Sequence, residues 1–270
     1  MLGEPEAPRL DDYCARVGYR GPRTPSAEVL RDLHLAHATH IPFENLDIHL
    51  GRPIRLDLDH LQEKLVRSGR GGYCFEHNTL FAAVLEACGF PVVRLAARVR
   101  AGATRVLPRT HMLLDVTADG SSFLCDVGFG ADGPLLPIPL AAGTEVAVFG
   151  RGYRLAREGH LLVLQCASAG TWMDLYTFTR EPQYPVDFEM ANHYVSTYPE
   201  SRFVLTITAQ LRTPTEQFVL RGRELTIERD GTLQTRSIDD SRTLGIVLTE
   251  TFGLALTAIE IDAAFRATGG

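Results

Sequence analysis

The chain has 270 residues, of which 45% are hydrophobic, and it carries a formal net charge of −6 at pH 7. Its length and apolar content allow a substantial buried core. The acidic balance and the absence of any run of lysine and arginine exclude a general electrostatic affinity for nucleic acid. Any anionic ligand must therefore be bound by a few local groups.

The length of the apolar segments and the spacing of the cysteines indicate the cellular compartment of the protein. No apolar segment reaches the roughly 20 residues that a bilayer-spanning helix needs, and the N-terminus "MLGEPEAPRLDDYC" lacks the basic and then apolar profile of a signal peptide. We therefore expect a cytoplasmic protein without membrane contacts. The cysteines are odd in number and contain no C-x-x-C pair, which argues against a disulfide framework and a structural zinc site. Free thiols are expected at Cys14, Cys74, Cys88, Cys125 and Cys166.

Residues from about 10 to 88 are predicted to be mainly helical. Ser26 is a suitable N-cap for an amphipathic helix that stops at Pro42. A second apolar pattern ends at Gly69. After Cys74, apolar residues recur at i, i+3, i+4 and i+7, and Gly89 lies where a C-terminal cap is expected. Cys74 is therefore placed at or near a helix N-terminus.

From about residue 90 the pattern changes to short β-rich runs interrupted by Gly, Pro and Asp-Gly. The runs are "PVVRLAARVR", "THMLLDVT", "SSFLCDVGF", "EVAVFG", "HLLVLQCA" and "WMDLYTF". This spacing is typical of antiparallel strands and favours a small barrel. Beyond Pro185 the chain is mixed, with a helix around "VDFEMANHYVS", strands in "RFVLTITAQLRT" and "ELTIERDGTLQTRSI", and a last helix from Ser241.

Cys74 has four roles to be weighed: packing residue, metal ligand, half of a disulfide, or nucleophile. A thiol becomes nucleophilic as the thiolate, which a helix N-terminus and a nearby imidazolium both favour. Gly71 and Gly72 allow the chain to turn sharply before it and leave room for a substrate. Because cysteine is among the most buried residue types, an inert packing role is an equal alternative at this point.

The base that would activate this thiol must come from nine histidines. His77 lies three residues after Cys74, but so close a helical neighbour has little reach and no third group to orient it. His34, His37 and His40 form an H-x-x-H-x-x-H pattern that superficially resembles a metal site. Their spacing turns the third ring around the helix, and no acidic or cysteine ligand accompanies them. Residues at the edge of a helical core are the favoured interpretation, and no metal is expected.

His111 is followed in the sequence by a carboxylate, Asp126, that a β-hairpin would place beside it. The segment "THMLLDVTADGSSFLCDVGFG" is typical of two strands joined by a two-residue turn at Asp119-Gly120. In that register Asp126 lies opposite Leu113, which shares a face with His111. His111 and Asp126 then form a diagonal pair, roughly 7–8 Å apart at the backbone. Such a carboxylate can orient the imidazole and stabilise its protonated form. The alternative is a surface histidine and a solvated carboxylate.

Four segments, "IPFENLDIHLG", "RGGYCFEHN", "THMLL" and "DVGFG", follow one another in this order. Together with "DLYTF" and "YPVDFEMANHYVSTYPESRFV", they resemble the arylamine N-acetyltransferases, with actinobacterial members as the most similar, over most of the chain up to about residue 210. The resemblance implies an α+β fold with a helical bundle (1–89), a central antiparallel β-barrel (90–188) and a C-terminal α/β lid (189–270). It also implies that the first two parts are arranged as in papain-like cysteine enzymes.

The resemblance further implies a catalytic triad of Cys74, His111 and Asp126. The implied reaction is ping-pong acetyl transfer through an acetyl-cysteine, from acetyl-CoA to an arylamine, hydrazine or N-hydroxyarylamine. Acetyl-CoA is then a cosubstrate, and no tightly bound cofactor is implied. Because the sequence contains no glycine-rich loop of the phosphate-binding type, the nucleotide end of CoA is expected at an open surface.

Further site residues follow from the same resemblance. Aromatic and aliphatic side chains that suit a flat ring are expected in the acceptor pocket, namely Phe43, Val99, Phe129 and Phe203. The entry used by the pantetheine arm of CoA is expected at Thr110, Gly128 and Gly130. Simple core packing is the alternative for the pocket residues.

Other functions fit the same three catalytic residues. One is an amide synthase of the same family, which releases a polyketide chain as a macrolactam. Another is a papain-like cysteine hydrolase or transglutaminase, although the segments that flank Cys74 favour acetyl transfer. A binding protein without activity would require the three residues to be incidental.

Overall fold

The first part of the chain folds as a group of packed helices. The structure is a computed structural model that describes residues 7–168, 170–229 and 231–268. The first elements are α1 (Leu10–Arg16), α2 (Ala27–His40), β1 (Phe43–Glu44), α3 (Leu46–His49), α4 (Leu58–Leu61) with a π-helical continuation (Gln62–Arg67), and α5 (Cys74–Ala87). The predicted N-cap is confirmed, because Ser26 Oγ accepts a hydrogen bond from the Val29 N–H at 3.2 Å. Leu30, Leu65 and Phe81 are fully buried in the core that these helices share.

A barrel-like antiparallel sheet follows the helices. Its strands are β2 (Val92–Val99), β3 (His111–Ala118), β4 (Ser121–Cys125), β5 (Ile138–Pro139), β6 (Glu145–Val148), β7 (Arg151–Glu158), β8 (Leu161–Ser168) and β9 (Thr171–Phe178). Their order in the sheet is β5-β4-β3-β2-β9-β8-β7-β6. Strand β7 was not predicted. Its sequence does contain a β signal, because the buried Tyr153 and Leu155 alternate with the partly exposed Arg154 and Ala156, as in a half-buried strand.

The predicted hairpin between β3 and β4 is present in the predicted register. Asp119 and Gly120 both have positive φ, at 48° and 73°, as a two-residue turn of this kind requires. The ladder runs from Ala118 opposite Ser121 to Leu114 opposite Cys125. Asp126 therefore follows the last paired residue of β4.

The C-terminal part combines helices with a second sheet. Its elements are α6 (Pro185–Thr197), α7 (Arg202–Leu205), β10 (Thr208–Arg212), β11 (Glu216–Arg221), β12 (Glu224–Arg229), β13 (Thr232–Ser237), α8 (Ser241–Ile246) with a π-helical continuation (Val247–Thr251), and α9 (Ala258–Ala267). Strand β1 joins this sheet, in the order β1-β10-β11-β12-β13, and pairs Phe43 with Gln210. The α+β class is confirmed, and the boundaries 1–89, 90–188 and 189–270 stay predictions. In the described ranges, no helix is both long and apolar enough to cross a bilayer.

The start of the segment "RFVLTITAQLRT" differs from the predicted strand. Residues Arg202–Leu205 form the short helix α7, and the strand begins only at Thr208. The side chain of Ser201 explains the difference, because its Oγ accepts a hydrogen bond from the Phe203 N–H at 3.3 Å and so begins a helical turn. Phe203 is therefore presented by a helix and not by a strand.

Candidate active site

Cys74 is the first residue of α5, as the sequence predicted, and only 4% of it is exposed. Its Sγ lies 3.7 Å from the main-chain oxygen of Thr110, the residue before β3. The glycine turn before it has a different use from the one expected. A Cβ on Gly71 would lie 2.0 Å from the main-chain oxygen of Pro42, so this glycine makes room for the protein's own backbone and not for a substrate.

His111 and Asp126 form a buried pair beside this cysteine. The Nε2–H of His111 donates a hydrogen bond to Asp126 Oδ2 at 2.7 Å, and the two residues are 3% and 1% exposed. The surface alternative for these residues is therefore wrong. Because Cys74 Sγ contacts the main chain of Thr110, the residue before His111, the structure brings together the three residues that the sequence singled out.

Asn78 holds Asp126 in place, a contact that sequence reasoning missed. Its Nδ2 donates to Asp126 Oδ1 at 3.0 Å and to the Met112 main-chain oxygen at 2.8 Å, while its Oδ1 accepts from the Val127 N–H at 3.2 Å. Asn78 lies four residues after Cys74 and therefore on the same face of α5. That spacing is the signal that could have identified it.

The electrostatics of the pair favour an imidazolium opposite a carboxylate. Burial by itself would lower the pKa of His111, but the Asp126 charge and hydrogen bond, together with the Cys74 thiol, raise it to about 10. Burial would raise the pKa of Asp126, but the charge of His111 and the hydrogen bonds from His111, Asn78 and the Gly128 N–H lower it. The site therefore holds a proton on His111 at neutral pH.

Aromatic rings surround this pair. The ring centroid of Phe129 lies 5.1 Å from that of His111, in an edge-on arrangement, and that of Tyr176 lies 4.9 Å from it. Val99, at the end of β2, pairs with Tyr176 across the sheet. Tyr176 was missed because only the pairing of β9 with β2 brings it to the site.

Two of the predicted pocket residues contact each other near the start of α5. The Phe43 and Phe203 rings are 5.9 Å apart, and the Phe203 ring is 5.6 Å from that of Tyr73, the residue before the cysteine. Phe43 is 6% exposed and Phe203 is half-buried. Phe129 therefore lies next to a triad residue and Phe203 next to Tyr73, while Val99 and Phe43 adjoin the site through Tyr176 and Phe203. The role of these four residues toward an acceptor stays a prediction.

The segment after Asp126 approaches α5 closely. A Cβ on Gly128 would lie 2.8 Å from the Cα of Cys74, so only glycine fits there without a shift of the backbone. Gly130 has a φ of +88°, and a Cβ on it would lie 2.5 Å from Gln210 Oε1. These glycines let the segment pass between the cysteine helix and the second sheet.

A buried ionic network lies under the start of α5. Glu76 accepts a hydrogen bond from the Tyr73 N–H at 2.9 Å and one from Lys64 Nζ at 2.7 Å. Lys64 also pairs with Asp47 at 2.6 Å. Burial would lower the pKa of Lys64, but the carboxylates of Glu76, Glu44 and Asp47 raise it. The network fixes the first turn of α5 and hence the cysteine.

The buried residues His37 of α2 and His77 of α5 are held by hydrogen bonds within the helical core. Tyr13 donates to His37 Nδ1 at 2.9 Å, His37 Nε2 lies 2.9 Å from His77 Nδ1, and His77 Nε2 lies 3.2 Å from the Pro42 main-chain oxygen. Since that oxygen only accepts, His77 donates to it and accepts from His37. Over residues 7–168, 170–229 and 231–268, no group of three potential metal ligands is present.

These histidines predict a loss of stability in acid. Burial lowers the pKa of His34 and of His77 to about 4, and that of His37 well below its ordinary value. An unfolded chain takes up these protons below about pH 6.5, so the free energy of unfolding should fall from there toward pH 4, by at most about 1.4 kcal/mol per pH unit and histidine. The raised pKa of His111 has the opposite effect, because it stabilises the folded protein as the pH falls. This stabilisation is already fully present below pH 6.5, so it does not change the slope in this range.

Urea unfolding between pH 4.5 and 7 measures this dependence. His77→Gln should reduce the slope of unfolding free energy against pH, because one of the protons taken up on unfolding is removed. His40→Gln is the control, since His40 is an exposed histidine at the end of α2. An equal slope in wild type and His77→Gln would contradict the assignment.

Comparison with known proteins identifies the family of this chain. A family model described as N-acetyltransferase matches residues 26–261. The arylamine N-acetyltransferase of Mycobacterium tuberculosis is 40% identical over 256 residues, which are 93% of this chain and 90% of that protein.

Solved structures agree in fold. The arylamine N-acetyltransferase of Nocardia farcinica is 44% identical, with a TM-score of 0.90 over 97% of this chain and 94% of the other. That of Mycobacterium marinum in complex with CoA is 36% identical, with a TM-score of 0.89 over 95% and 98%. This chain is thus an acyltransferase that belongs to the arylamine N-acetyltransferase family.

Proposed function

We propose that this enzyme transfers an acetyl group from acetyl-CoA to an arylamine, hydrazine or N-hydroxyarylamine through an acetyl-Cys74 intermediate. The observation that carries the proposal is the buried 2.7 Å contact between His111 Nε2 and Asp126 Oδ2, next to a cysteine at a helix N-terminus. A nucleophile, a base and a group that orients the base are the parts that covalent acyl transfer needs.

In the first half-reaction the Cys74 thiolate attacks the thioester carbonyl of acetyl-CoA. The main-chain N–H groups in the first turn of α5 are directed at the oxygen that becomes negative in the tetrahedral intermediate. As the intermediate collapses, the carbon–sulfur bond to CoA breaks and the CoA sulfur takes the proton of His111. Acetyl-Cys74 and a neutral imidazole remain, and free CoA leaves.

In the second half-reaction the acceptor nitrogen attacks acetyl-Cys74. The neutral His111 removes a proton from that nitrogen, the bond to Cys74 breaks, and the thiolate–imidazolium pair is restored. Asp126 keeps the Nε2–H of His111 directed toward itself, so the other ring nitrogen carries out both proton transfers. Every bond and proton in the two half-reactions is accounted for by Cys74, His111 and the two substrates.

The surroundings of the triad suit these substrates. Phe129 lies edge-on to His111, and Phe43 and Phe203 contact each other beside Tyr73. We assign these rings and Val99 to the acceptor, because aromatic walls bind a flat ring. Thr110 and Gly128 adjoin Cys74, and Gly130 lies two residues after Gly128 in the same segment. We assign these three residues to the pantetheine arm. The M. marinum relative binds CoA, which supports CoA as the donor here.

Incubation with acetyl-CoA alone, followed by measurement of the intact mass, tests the proposal. The wild type should gain about 42 Da, one acetyl group in place of a hydrogen, because the first half-reaction needs no acceptor. Addition of an arylamine should then return the mass to its starting value. Cys74→Ala should show no gain, and an unmodified wild type would contradict the proposal.

The names of the relatives support acetyl transfer over macrolactam formation. An amide synthase would turn over small arylamines poorly, so a rapid second half-reaction with a simple aniline also separates the two functions. We further infer a cytoplasmic location, which suits the free thiol state of each of the five cysteines.

A further inference from the structure

His34 lies at the interface of α2 with the segment that carries Asp126. It is fully buried and its ring packs edge-on against Phe81 of α5, with 5.7 Å between the ring centroids. The sequence pattern assigned it only to the edge of a helical core. Both of its ring nitrogens, however, are engaged with the loop next to the triad.

The two contacts of His34 bridge the ends of that loop. Its Nε2 accepts a hydrogen bond from the Asp126 N–H at 3.1 Å, and its Nδ1 lies 3.0 Å from the Leu135 main-chain oxygen. Between these two points the chain contains Phe129 and the glycines that pass over Cys74. One ring therefore sets the distance between the start and the end of the loop.

The tautomer of His34 follows from its partners. A main-chain N–H can only donate and a carbonyl oxygen can only accept, so the proton is on Nδ1 and the lone pair on Nε2. Burial lowers the pKa of His34 to about 4, although the hydrogen bond to Leu135 and the charge of Asp126 oppose the shift. The ring is therefore neutral at physiological pH, and its acceptor is available.

The Asp126 N–H depends on this acceptor. The ladder of β3 and β4 ends at Cys125, so Asp126 lies beyond the last strand pair. Its carboxylate is bound by His111, Asn78 and the Gly128 N–H, but these contacts do not fix its main chain. A buried N–H requires a partner, and His34 Nε2 is the partner that the structure provides.

We propose that His34 is a positioning residue, which sets the orientation of Asp126 and through it the Asp126–His111 hydrogen bond. The inference rests on the proposed acetyl transfer for its effect on the rate, but its geometry can be measured without turnover. The titratable neighbours on the packed elements are Asp126 on the loop and His37 on α2, whose pKa His34 lowers further.

Two polar replacements separate positioning from simple packing. His34→Gln reaches the place of Nε2 and can accept from the Asp126 N–H. His34→Asn is shorter, reaches only the place of Nδ1, and can bond the Leu135 oxygen but not Asp126. We expect kcat to fall about 10- to 100-fold in His34→Asn, as for a small displacement of a catalytic group, with little change in KM for acetyl-CoA. His34→Gln should keep most of the activity.

Proton NMR supplies the readout that packing alone would not move. The downfield resonance of the His111 Nε2–H should persist in His34→Gln and should shift or broaden in His34→Asn. Equal kcat values and equal His111 resonances in the two variants would overturn the proposal, whatever their thermal stability.

The wild-type protein offers a test that does not depend on the folding of a variant. A nitrogen–nitrogen coupling across the hydrogen bond should connect the Asp126 amide with His34 Nε2, and its absence in a well-resolved spectrum would overturn the contact. If the wild type failed to gain an acetyl group while this coupling was present, the proposed function would be wrong and the positioning geometry would stand.

Discussion

Replacement of Cys74 by serine is expected to remove the acetyl-enzyme and to lower the rate of acetyl transfer by at least about 10⁴-fold. Serine preserves the size of the side chain at the start of α5, where the cysteine is only 4% exposed, so the fold should be retained. Its hydroxyl is far less acidic than a thiol. The imidazolium of His111 therefore cannot maintain it as an anion, and the nucleophile is lost.

The measurement is the rate of CoA release with acetyl-CoA and an arylamine, together with the intact mass. Cys88→Ser is the matched control, because Cys88 is a buried cysteine at the other end of the same helix and has no role in the proposed chemistry. Cys88→Ser should react at close to the wild-type rate. An acetyl gain that survived in both Cys74→Ser and Cys74→Ala would assign the acetyl group to another residue.

Replacement of His111 by alanine is expected to abolish both acetyl transfer and the alkylation of Cys74 by iodoacetamide at mildly acidic pH. The raised pKa of His111, about 10, keeps the ring protonated there, and its positive charge favours the thiolate beside it. Without the ring, Cys74 should react slowly with iodoacetamide, because the positive charge that pairs with its thiolate is missing. The rate of acetyl transfer should fall by about 10⁴-fold or more.

Asp126→Asn provides the graded comparison for His111→Ala. The amide has the shape of the carboxylate but lacks its charge, which contributes to the raised pKa of His111. We expect a loss of about 10⁴-fold in the rate of acetyl transfer, because without the carboxylate the proton of the neutral imidazole is no longer held on Nε2. Alkylation should be reduced at mildly acidic pH and should recover as the pH rises.

For the His111→Ala prediction, alkylation of that variant at the wild-type rate would show that His111 is not the partner of the thiolate.

The sequence determined the features of this protein that depend on neighbours in the chain. The apolar period after Cys74 and the cap at Gly89 located α5, and the Asp119-Gly120 turn set the register that directs His111 and Asp126 to one face. These features were predictable because helix periodicity and turn conformation are properties of a few adjacent residues.

Only the tertiary structure decided how these local parts meet. Asn78 joins α5 to Asp126, and Gly128 allows their backbones to approach to contact distance. His34 and Tyr176 come to the site from α2 and β9, far away in the chain. Hydrogen bonds and packing between residues so distant in sequence depend on how whole elements dock, and no local pattern encodes that docking. The sequence therefore predicted Cys74 as the candidate nucleophile, whereas the contacts that hold its partners in place were not predictable from it.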